Sequence, residues 1–163
     1  MKKDILKEWK QKILSVIPDT YKGKFSKGYE RKLIIRPKEG SGELVLAWES
    51  GERHTVYIRN LMVSRKDRNK GVGSELLSIA VNVCRSSKRS WLSVYGVLSE
   101  TQEEWLLKNG FEVDDELYCL EEDIPMYMFG DDSWMDYASP ERLYKLKVDN
   151  YPVKKTADYG TSH

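Results

Sequence analysis

The sequence has few of the residues that cross-link small proteins or bind metals in them. Its 163 residues include only two cysteines, Cys84 and Cys119, and two histidines, His54 and His163. Neither cysteine has the spacing of a zinc or redox motif, so we expect reduced thiols in or near the core rather than a disulfide. Two histidines form no metal-binding constellation, and we expect no metal site.

Long apolar runs are also missing. No stretch approaches the roughly 20 residues that cross a bilayer, and the N-terminal MKKDILKEWK contains acidic residues and no cleavage-like site. We therefore expect a cytoplasmic protein that does not bind membranes. A hydrophobic content of 40% in a chain of this length suits one domain with a sizeable core.

Two phosphate-binding motifs are absent, because the chain has neither the G-x-x-x-x-G-K-[ST] of a P-loop nor the G-x-G-x-x-G of a dinucleotide-binding fold. Residues 61–77, LMVSRKDRNKGVGSELL, nevertheless lead from an apolar run into a basic, glycine-containing loop. The apolar residues before the loop are typical of a strand end, and those after it recur at helical spacing. This loop, the cradle, is therefore predicted to open a helix.

A helix start favours an anionic phosphate, since its first N–H groups are unpaired and the macrodipole is positive there. Gly71 and Gly73 carry no Cβ to block the approach and can adopt positive φ. Further positive charge comes from Arg65, Lys66, Arg68 and Lys70. The alternative is a strand-to-helix turn whose glycines serve geometry only and whose basic residues are merely solvated.

A second strand and helix follow downstream. Residues 90–97, SWLSVYGV, favour a strand, and residues 99–109 favour a helix that begins with a Ser99–Gln102 capping box. Gly110 suits the position just after the helix end. Taken alone, Gly110 and Phe111 are equally an ordinary helix stop and a core residue.

These two segments together closely resemble the GNAT superfamily of N-acetyltransferases. Arg68, Gly71 and Gly73 match its signature [RQ]-x-x-G-x-[GA], and Val63 stands five residues before Arg68, where a strand-ending valine usually lies. The resemblance covers residues 57–121, about 40% of the chain. It implies an α/β (α+β) fold with a mixed, mostly antiparallel central sheet, flanked by helices and with splayed central strands.

The resemblance also implies acetyl-CoA as the co-substrate. In this family the cradle binds the pyrophosphate, and backbone groups of the strand before it bind the pantetheine arm, which enters beside the strand at 91–97. The residues expected to bind acetyl-CoA are Leu61, Met62, Val63, Arg68, Asn69, Lys70, Gly71, Val72, Gly73 and Ser74.

The remaining segments complete the predicted organisation. We divide a single domain, 1–163, into an N-terminal helix and loop (1–30), a GNAT-like core (31–123) and a C-terminal extension (124–163). Apolar residues at 33–35, 43–48 and 54–63 predict a meander that feeds the cradle strand. In the extension, Ser139-Pro140-Glu141 favours a helix start, because it combines a cap, a proline and an acid.

Catalysis needs a base for the ammonium proton and an acid for the leaving thiolate. Many relatives carry a tyrosine acid four residues before the glycine after the closing helix, and some carry a glutamate base six residues before the strand-ending valine. Here those positions hold Leu106 and Tyr57. The candidate substitutes are Tyr95, or less favoured Tyr118, as acid, and Glu49, Glu52 or His54 as base. Tyr95 and Tyr118 are equally compatible with core positions, and the others with a hairpin turn.

Charge suggests the acceptor. Residues 100–136 contain 13 acidic residues and one lysine, which favours a cationic amine such as a polyamine, an aminoglycoside-like drug, or a lysine or N-terminus of a protein.

An acetyltransferase acting by direct attack in a ternary complex is our interpretation. A non-catalytic GNAT-like module that binds CoA or a protein is the alternative, and a nucleic-acid-associated protein is less favoured. Edge strands in this architecture often pair between subunits, so a homodimer is an alternative to a monomer.

Overall fold

The computed structural model describes residues 2–27, 31–68, 70–96, 99–114 and 142–152. The chain forms two compact units, Met1–Leu92 and Ser93–His163. Within the described ranges, the helices are all too short or too polar to cross a membrane.

The first unit consists of a helix, four strands and a second helix, and it ends at the start of a fifth strand. These elements are α1 (Lys2–Leu14), β1 (Tyr21–Phe25), β2 (Arg31–Pro37), β3 (Glu43–Trp48), β4 (Thr55–Met62), α2 (Val72–Ser86) and β5 (Trp91–Gly96). Strands β1 to β4 lie side by side in chain order, and each pairs antiparallel with the next. The predicted meander into the cradle strand is confirmed.

Alternation along these strands buries one face of the sheet. Fully buried residues on that face include Leu33 and Ile35 of β2 and Leu44 and Leu46 of β3. Helix α2 packs on β3 and β4 and also contacts α1. The chain after α1 lies so close to β1 that a Cβ on Gly23 would stand 2.4 Å from Cδ1 of Ile17. Glycine at this position therefore permits the close packing.

Strand β1 corrects the prediction that residues 1–30 contain only a helix and a loop. Tyr21 is buried and Gly23 and Phe25 are half-buried, whereas the lysines between them are exposed. The two-residue alternation of a strand is thus present, but two lysines in five residues resemble a solvated loop. Pairing with β2, in which Gly23 lies opposite Ile35, makes this segment a strand.

The second unit contains most of β5, α3 (Glu100–Lys108), β6 (Glu112–Val113) and β7 (Arg142–Lys147). Strand β7 lies between β5 and β6 and pairs antiparallel with β6. Helix α3 begins as predicted, because the Ser99 hydroxyl accepts from the Gln102 backbone N–H and the Gln102 side chain accepts from the Ser99 N–H. It also ends as predicted, with Gly110 at φ +98°.

Strand β7 corrects a second prediction. Residues 139–141 lie outside the described residues, but the helix expected to start there would continue into 142–147, which form a strand instead. Tyr144 and Leu146 are both buried and alternate with less buried neighbours. The cap and proline favoured a helix start, yet the two-residue burial pattern and pairing with β6 decide the structure.

The described elements form a mixed α/β fold with mostly antiparallel strands, as the sequence predicted. Strand β4 is followed directly by the cradle and α2, all within the first unit.

Candidate functional site

The cradle connects the end of β4 to the start of α2. Strand β4 ends at Met62, a short 3₁₀ turn covers Arg65–Asp67, and α2 begins at Val72. Gly71 is the N-cap residue of α2 and has the left-handed φ of +83°, which disfavours any residue with a Cβ. A Cβ added to Gly71 would meet no atom within 4 Å, so the space above this glycine is open. Gly73 lies within the first helical turn.

The start of α2 carries the unpaired donors that an anion would bind. The first intrahelical bond runs from the Glu75 N–H to the Gly71 carbonyl at 3.0 Å. The N–H groups of Gly71 to Ser74 therefore precede the helical ladder, and glycine supplies no capping side chain to them. Open space, unpaired donors and the positive end of the helix dipole coincide here.

Basic residues lie in the loop just before this helix start. Arg65, Lys66, Arg68 and Lys70 are all exposed. The Arg68 Nε donates to the Val63 carbonyl at 3.3 Å, which folds this side chain back over the loop. Lys70 Nζ lies 3.6 Å from Asp67 Oδ1. Asn69, another predicted cofactor residue, lies outside the described residues.

A polar network that the sequence analysis missed joins the cradle to the β2–β3 hairpin loop. Asp67 Oδ2 accepts from the Ser41 N–H at 3.1 Å, from the Ser41 hydroxyl at 2.5 Å and from the Ser64 hydroxyl at 3.3 Å. The two serine hydroxyls also contact each other. The pKa of Asp67 is lowered, and the two hydrogen bonds from Ser41 contribute most to this shift. Ser64-x-x-Asp67, the spacing of a helix-start motif, was the available sequence signal.

The end of β4 contains an irregularity that sequence did not predict. Val45 of β3 lies opposite Asn60, and the next residue, Leu46, lies opposite Ile58. Arg59 is therefore an extra residue in β4, which makes a β-bulge that increases the local bend and twist. Beyond it, Leu61 is half-buried and Met62 is 54% exposed. Val63 follows the last residue of β4.

The predicted base candidates belong to the β3–β4 turn, and two of them act on Tyr57. Glu49 forms an ion pair with Arg59, and Glu52 Oε1 accepts from the His54 N–H at 2.8 Å. Burial raises the pKa of Tyr57, and the nearby charges of Glu52 and Glu49 raise it further. The Tyr57 hydroxyl therefore stays protonated near neutral pH.

The turn itself is bonded to the segment 89–91. Arg89 donates to the Glu52 carbonyl, and the His54 carbonyl accepts from the Ser90 and Trp91 N–H groups at 3.0 and 2.9 Å. The imidazole of His54 is exposed. Of the three base candidates, the two glutamates are thus the ones whose charges act on Tyr57.

The acid candidates lie in the second unit. Tyr95 of β5 is 37% exposed, whereas Leu106, in the position of the usual acid, is only 6% exposed. The Leu106 carbonyl accepts from the Phe111 N–H at 3.0 Å, so this residue helps to end α3. Tyr118 lies outside the described residues.

A tyrosine that sequence did not single out links β7 to α3 in this unit. Tyr144 of β7 is buried and donates its hydroxyl to Glu103 of α3, which also pairs with Arg142 at 3.2 Å. Burial is the largest cause that raises the pKa of Tyr144, to about 12, and the hydrogen bond to Glu103 is the next. Its distance along the chain from α3 concealed this pairing.

The described residues contain no grouping of three or more His, Cys, Asp or Glu side chains that could bind a metal ion. Cys84 lies on the buried side of α2, where desolvation raises the pKa of its thiol to about 12. Such a thiol is a core group rather than a nucleophile.

Comparisons with known proteins give a match at the level of three-dimensional structure. No protein-family model matches the sequence, and no curated protein matches it. A GNAT-family acetyltransferase from Elizabethkingia anophelis, with acetyl-CoA bound, is 16% identical, with a TM-score of 0.51 and coverage of 80% of this chain and 99% of that one. A GNAT-family protein from Desulfovibrio desulfuricans is 13% identical, with a TM-score of 0.50 and coverage of 73% and 69%.

A third similar structure is a larger protein. N-acetylglutamate synthase from Neisseria gonorrhoeae, complexed with coenzyme A and N-acetyl-glutamate, is 19% identical, with a TM-score of 0.49. The match covers 72% of this chain but only 25% of the synthase. At these identities the likeness concerns the fold, and the match to the Elizabethkingia protein extends over nearly that protein's whole length. This chain has the fold of the GNAT acetyltransferases.

Proposed function

We propose that this protein transfers the acetyl group of acetyl-CoA to an amine. The observation that carries the proposal is the start of α2, where Gly71 at φ +83° leaves open space above the first N–H groups of the helix. Four exposed basic side chains flank this point. A pyrophosphate fits such a place, because backbone donors, helix dipole and positive charge all stabilise an anion there.

The reaction needs little covalent help from the protein. The amine nitrogen attacks the thioester carbonyl carbon, the C–N bond forms, and the C–S bond breaks to release CoA as a thiolate. The amine loses its proton to a base, and the thiolate takes one from an acid. Positioning both reactants in one complex supplies much of the acceleration, so no enzyme nucleophile is required.

Glu52 is our first candidate for the base, with Glu49 second. Both carboxylates act on Tyr57, but Glu49 is also paired with Arg59. Tyr95, which is partly exposed on β5, is the candidate acid. We also propose a cationic acceptor and a cytoplasmic location, with a homodimer as the alternative to a monomer.

The second candidate function is a module that binds CoA, or a protein partner, without catalysis. Leu106 favours it, because this buried, apolar side chain occupies the position at which relatives carry an acid. A protein that only binds would tolerate this residue, whereas an enzyme needs its acid elsewhere.

Release of free CoA thiol from acetyl-CoA, measured with a panel of amines, tests the proposal. The panel contains spermidine, an aminoglycoside, a lysine peptide and a peptide with a free N-terminus. We expect turnover with at least one amine and a decrease of about 10²-fold or more in kcat for Glu52→Gln, with acetyl-CoA affinity unchanged. CoA binding without turnover on any amine would favour a CoA-binding module. Absence of CoA binding would contradict acetyl transfer and leave only a module that binds a protein partner.

A further inference from the structure

The β2–β3 hairpin loop, residues 38–42, is hydrogen-bonded to the cradle through Ser41. Ser41 donates twice to Asp67 and its hydroxyl contacts that of Ser64. A Cβ added to Gly42 would stand 3.4 Å from the Met62 carbonyl oxygen and 3.4 Å from Cγ1 of Val72. The hairpin loop is therefore bonded to the 3₁₀ turn at Asp67, and its Gly42 lies beside the last residue of β4 and the first residue of α2.

The hairpin loop has the backbone that such an approach requires. Gly40 and Gly42 have φ values of +89° and +151°, which residues with a Cβ rarely adopt. Between them, the Ser41 N–H and hydroxyl both point to one carboxylate oxygen. The sequence Gly40-Ser41-Gly42 is thus suited to bringing one donor residue against the cradle.

Asp67 is an unexpected residue in a loop that binds phosphate. A negative charge there opposes an anionic ligand, and the hydrogen bonds from Ser41 lower the pKa of Asp67 and so keep it ionised. Lys70 offsets part of this charge from 3.6 Å. The carboxylate therefore contributes through its hydrogen bonds to the shape of the loop, and not through attraction of the ligand.

We propose that Asp67, fastened by Ser41, is a positioning residue that fixes the path of the cradle and so aims the first N–H groups of α2 at the pyrophosphate. This inference rests on the proposed function. Asp67 does not touch the ligand in this account. It acts through the backbone, because Asp67 stands shortly before the N-cap Gly71 of α2, and its hydrogen bonds to Ser41 fix where the approach to the helix begins.

The experiment compares two ligands that share an arm but differ in phosphate. CoA binding is measured by calorimetry, and binding of S-acetylpantetheine, which lacks the pyrophosphate, is measured by ligand-observed NMR. For Asp67→Ala we expect CoA affinity to fall about tenfold, as for a lost hydrogen bond to a charged group, with S-acetylpantetheine affinity unchanged. Ser41→Ala is expected to weaken CoA in the same selective way, and Asp67→Asn, which keeps an acceptor oxygen, to recover part of the affinity.

Glu39→Gln is the matched control, because Glu39 is an exposed acid of the same hairpin loop, and it should bind both ligands as the wild type does. Equal CoA affinity in the wild type and Asp67→Ala would overturn the inference, and so would an equal loss for both ligands, which indicates general damage. Ser41→Ala supplies the same test if Asp67→Ala does not fold. A wild-type protein that fails to bind CoA would instead overturn the proposed function itself.

Discussion

The Tyr21 hydroxyl donates to Glu75 Oε2 at 2.5 Å and so ties β1 to the first turn of α2. Tyr21 is buried, and this burial is the largest cause that raises its pKa far above the ordinary value. The hydrogen bond to Glu75 is the second cause. The helix that begins at the cradle is thereby anchored to β1, the first strand of the meander.

Tyr21→Phe is expected to lower the free energy of unfolding by about 1 kcal/mol, because it removes a hydrogen bond to a carboxylate that water can still solvate. Urea unfolding of Tyr21→Phe, Glu75→Gln and the double variant measures the coupling between the two side chains. We expect a coupling of about 1 kcal/mol. Additive effects of the two single variants would show that the contact does not stabilise the fold.

The Tyr144 hydroxyl makes stability depend on pH in the alkaline range. Its pKa is about 12 in the folded protein and about 10 in an unfolded chain, so the protonated form is favoured by folding. The contribution of the Tyr144 hydroxyl to the free energy of unfolding is complete below pH 10 and is lost as pH rises towards 12. We expect Tm to fall between pH 9 and pH 11.5 less steeply for Tyr144→Phe than for the wild type. Identical slopes would exclude this role for Tyr144.

Gly71→Glu separates ligand binding from backbone strain. The substitution should cost about 1–2 kcal/mol of stability, since a residue with a Cβ is forced into the left-handed region, and it should abolish acetyl-CoA binding by placing a carboxylate where phosphate approaches. Gly51→Glu is the control, because Gly51 has φ +85° and also meets no atom within 4 Å. It should lose similar stability in thermal unfolding yet keep its affinity in calorimetry. Unchanged acetyl-CoA affinity in a folded Gly71→Glu protein would contradict a phosphate-binding role for the cradle.

Leu106→Tyr, which restores the tyrosine found in many relatives, is expected to destabilise the fold. Leu106 is 6% exposed, so the larger ring overpacks its surroundings at a cost of about 1–3 kcal/mol. Leu107→Tyr, at a neighbouring position that is 45% exposed, should be nearly neutral. Urea unfolding of both variants measures the difference. Equal stability of the two would mean that space for an acid exists at position 106.

Local chemistry made much of the fold predictable. The capping box at Ser99, the stop at Gly110 and the turn at Gly71 each depend on residues within a few positions, and the structure contains all three. Strand β1 was missed because the lysines that alternate with Tyr21, Gly23 and Phe25 hide a pattern that only pairing with β2 makes decisive.

The candidate site was predictable only where it is formed by residues close together in sequence. Its glycine-containing loop and basic residues are contiguous in sequence, whereas the contact between Ser41 and Asp67 joins residues 26 positions apart. The bulge at Arg59 depends on the register between β3 and β4, which a single strand does not reveal. Tyr144 and Glu103 likewise meet only after the chain has folded. Contacts of this kind arise from packing, and sequence spacing carries no signal for them.

The central claim is that the start of α2 binds the pyrophosphate of acetyl-CoA. Thermal unfolding of the wild type with acetyl-CoA, and with ATP and NAD as controls for nonspecific phosphate binding, tests it most directly. Ligand at a hundred times its Kd adds about 2.7 kcal/mol, which in a chain of this size raises Tm by roughly 5–10 °C. We expect such a rise with acetyl-CoA and none with ATP or NAD. An unchanged Tm at millimolar acetyl-CoA, or equal rises with all three ligands, would contradict it.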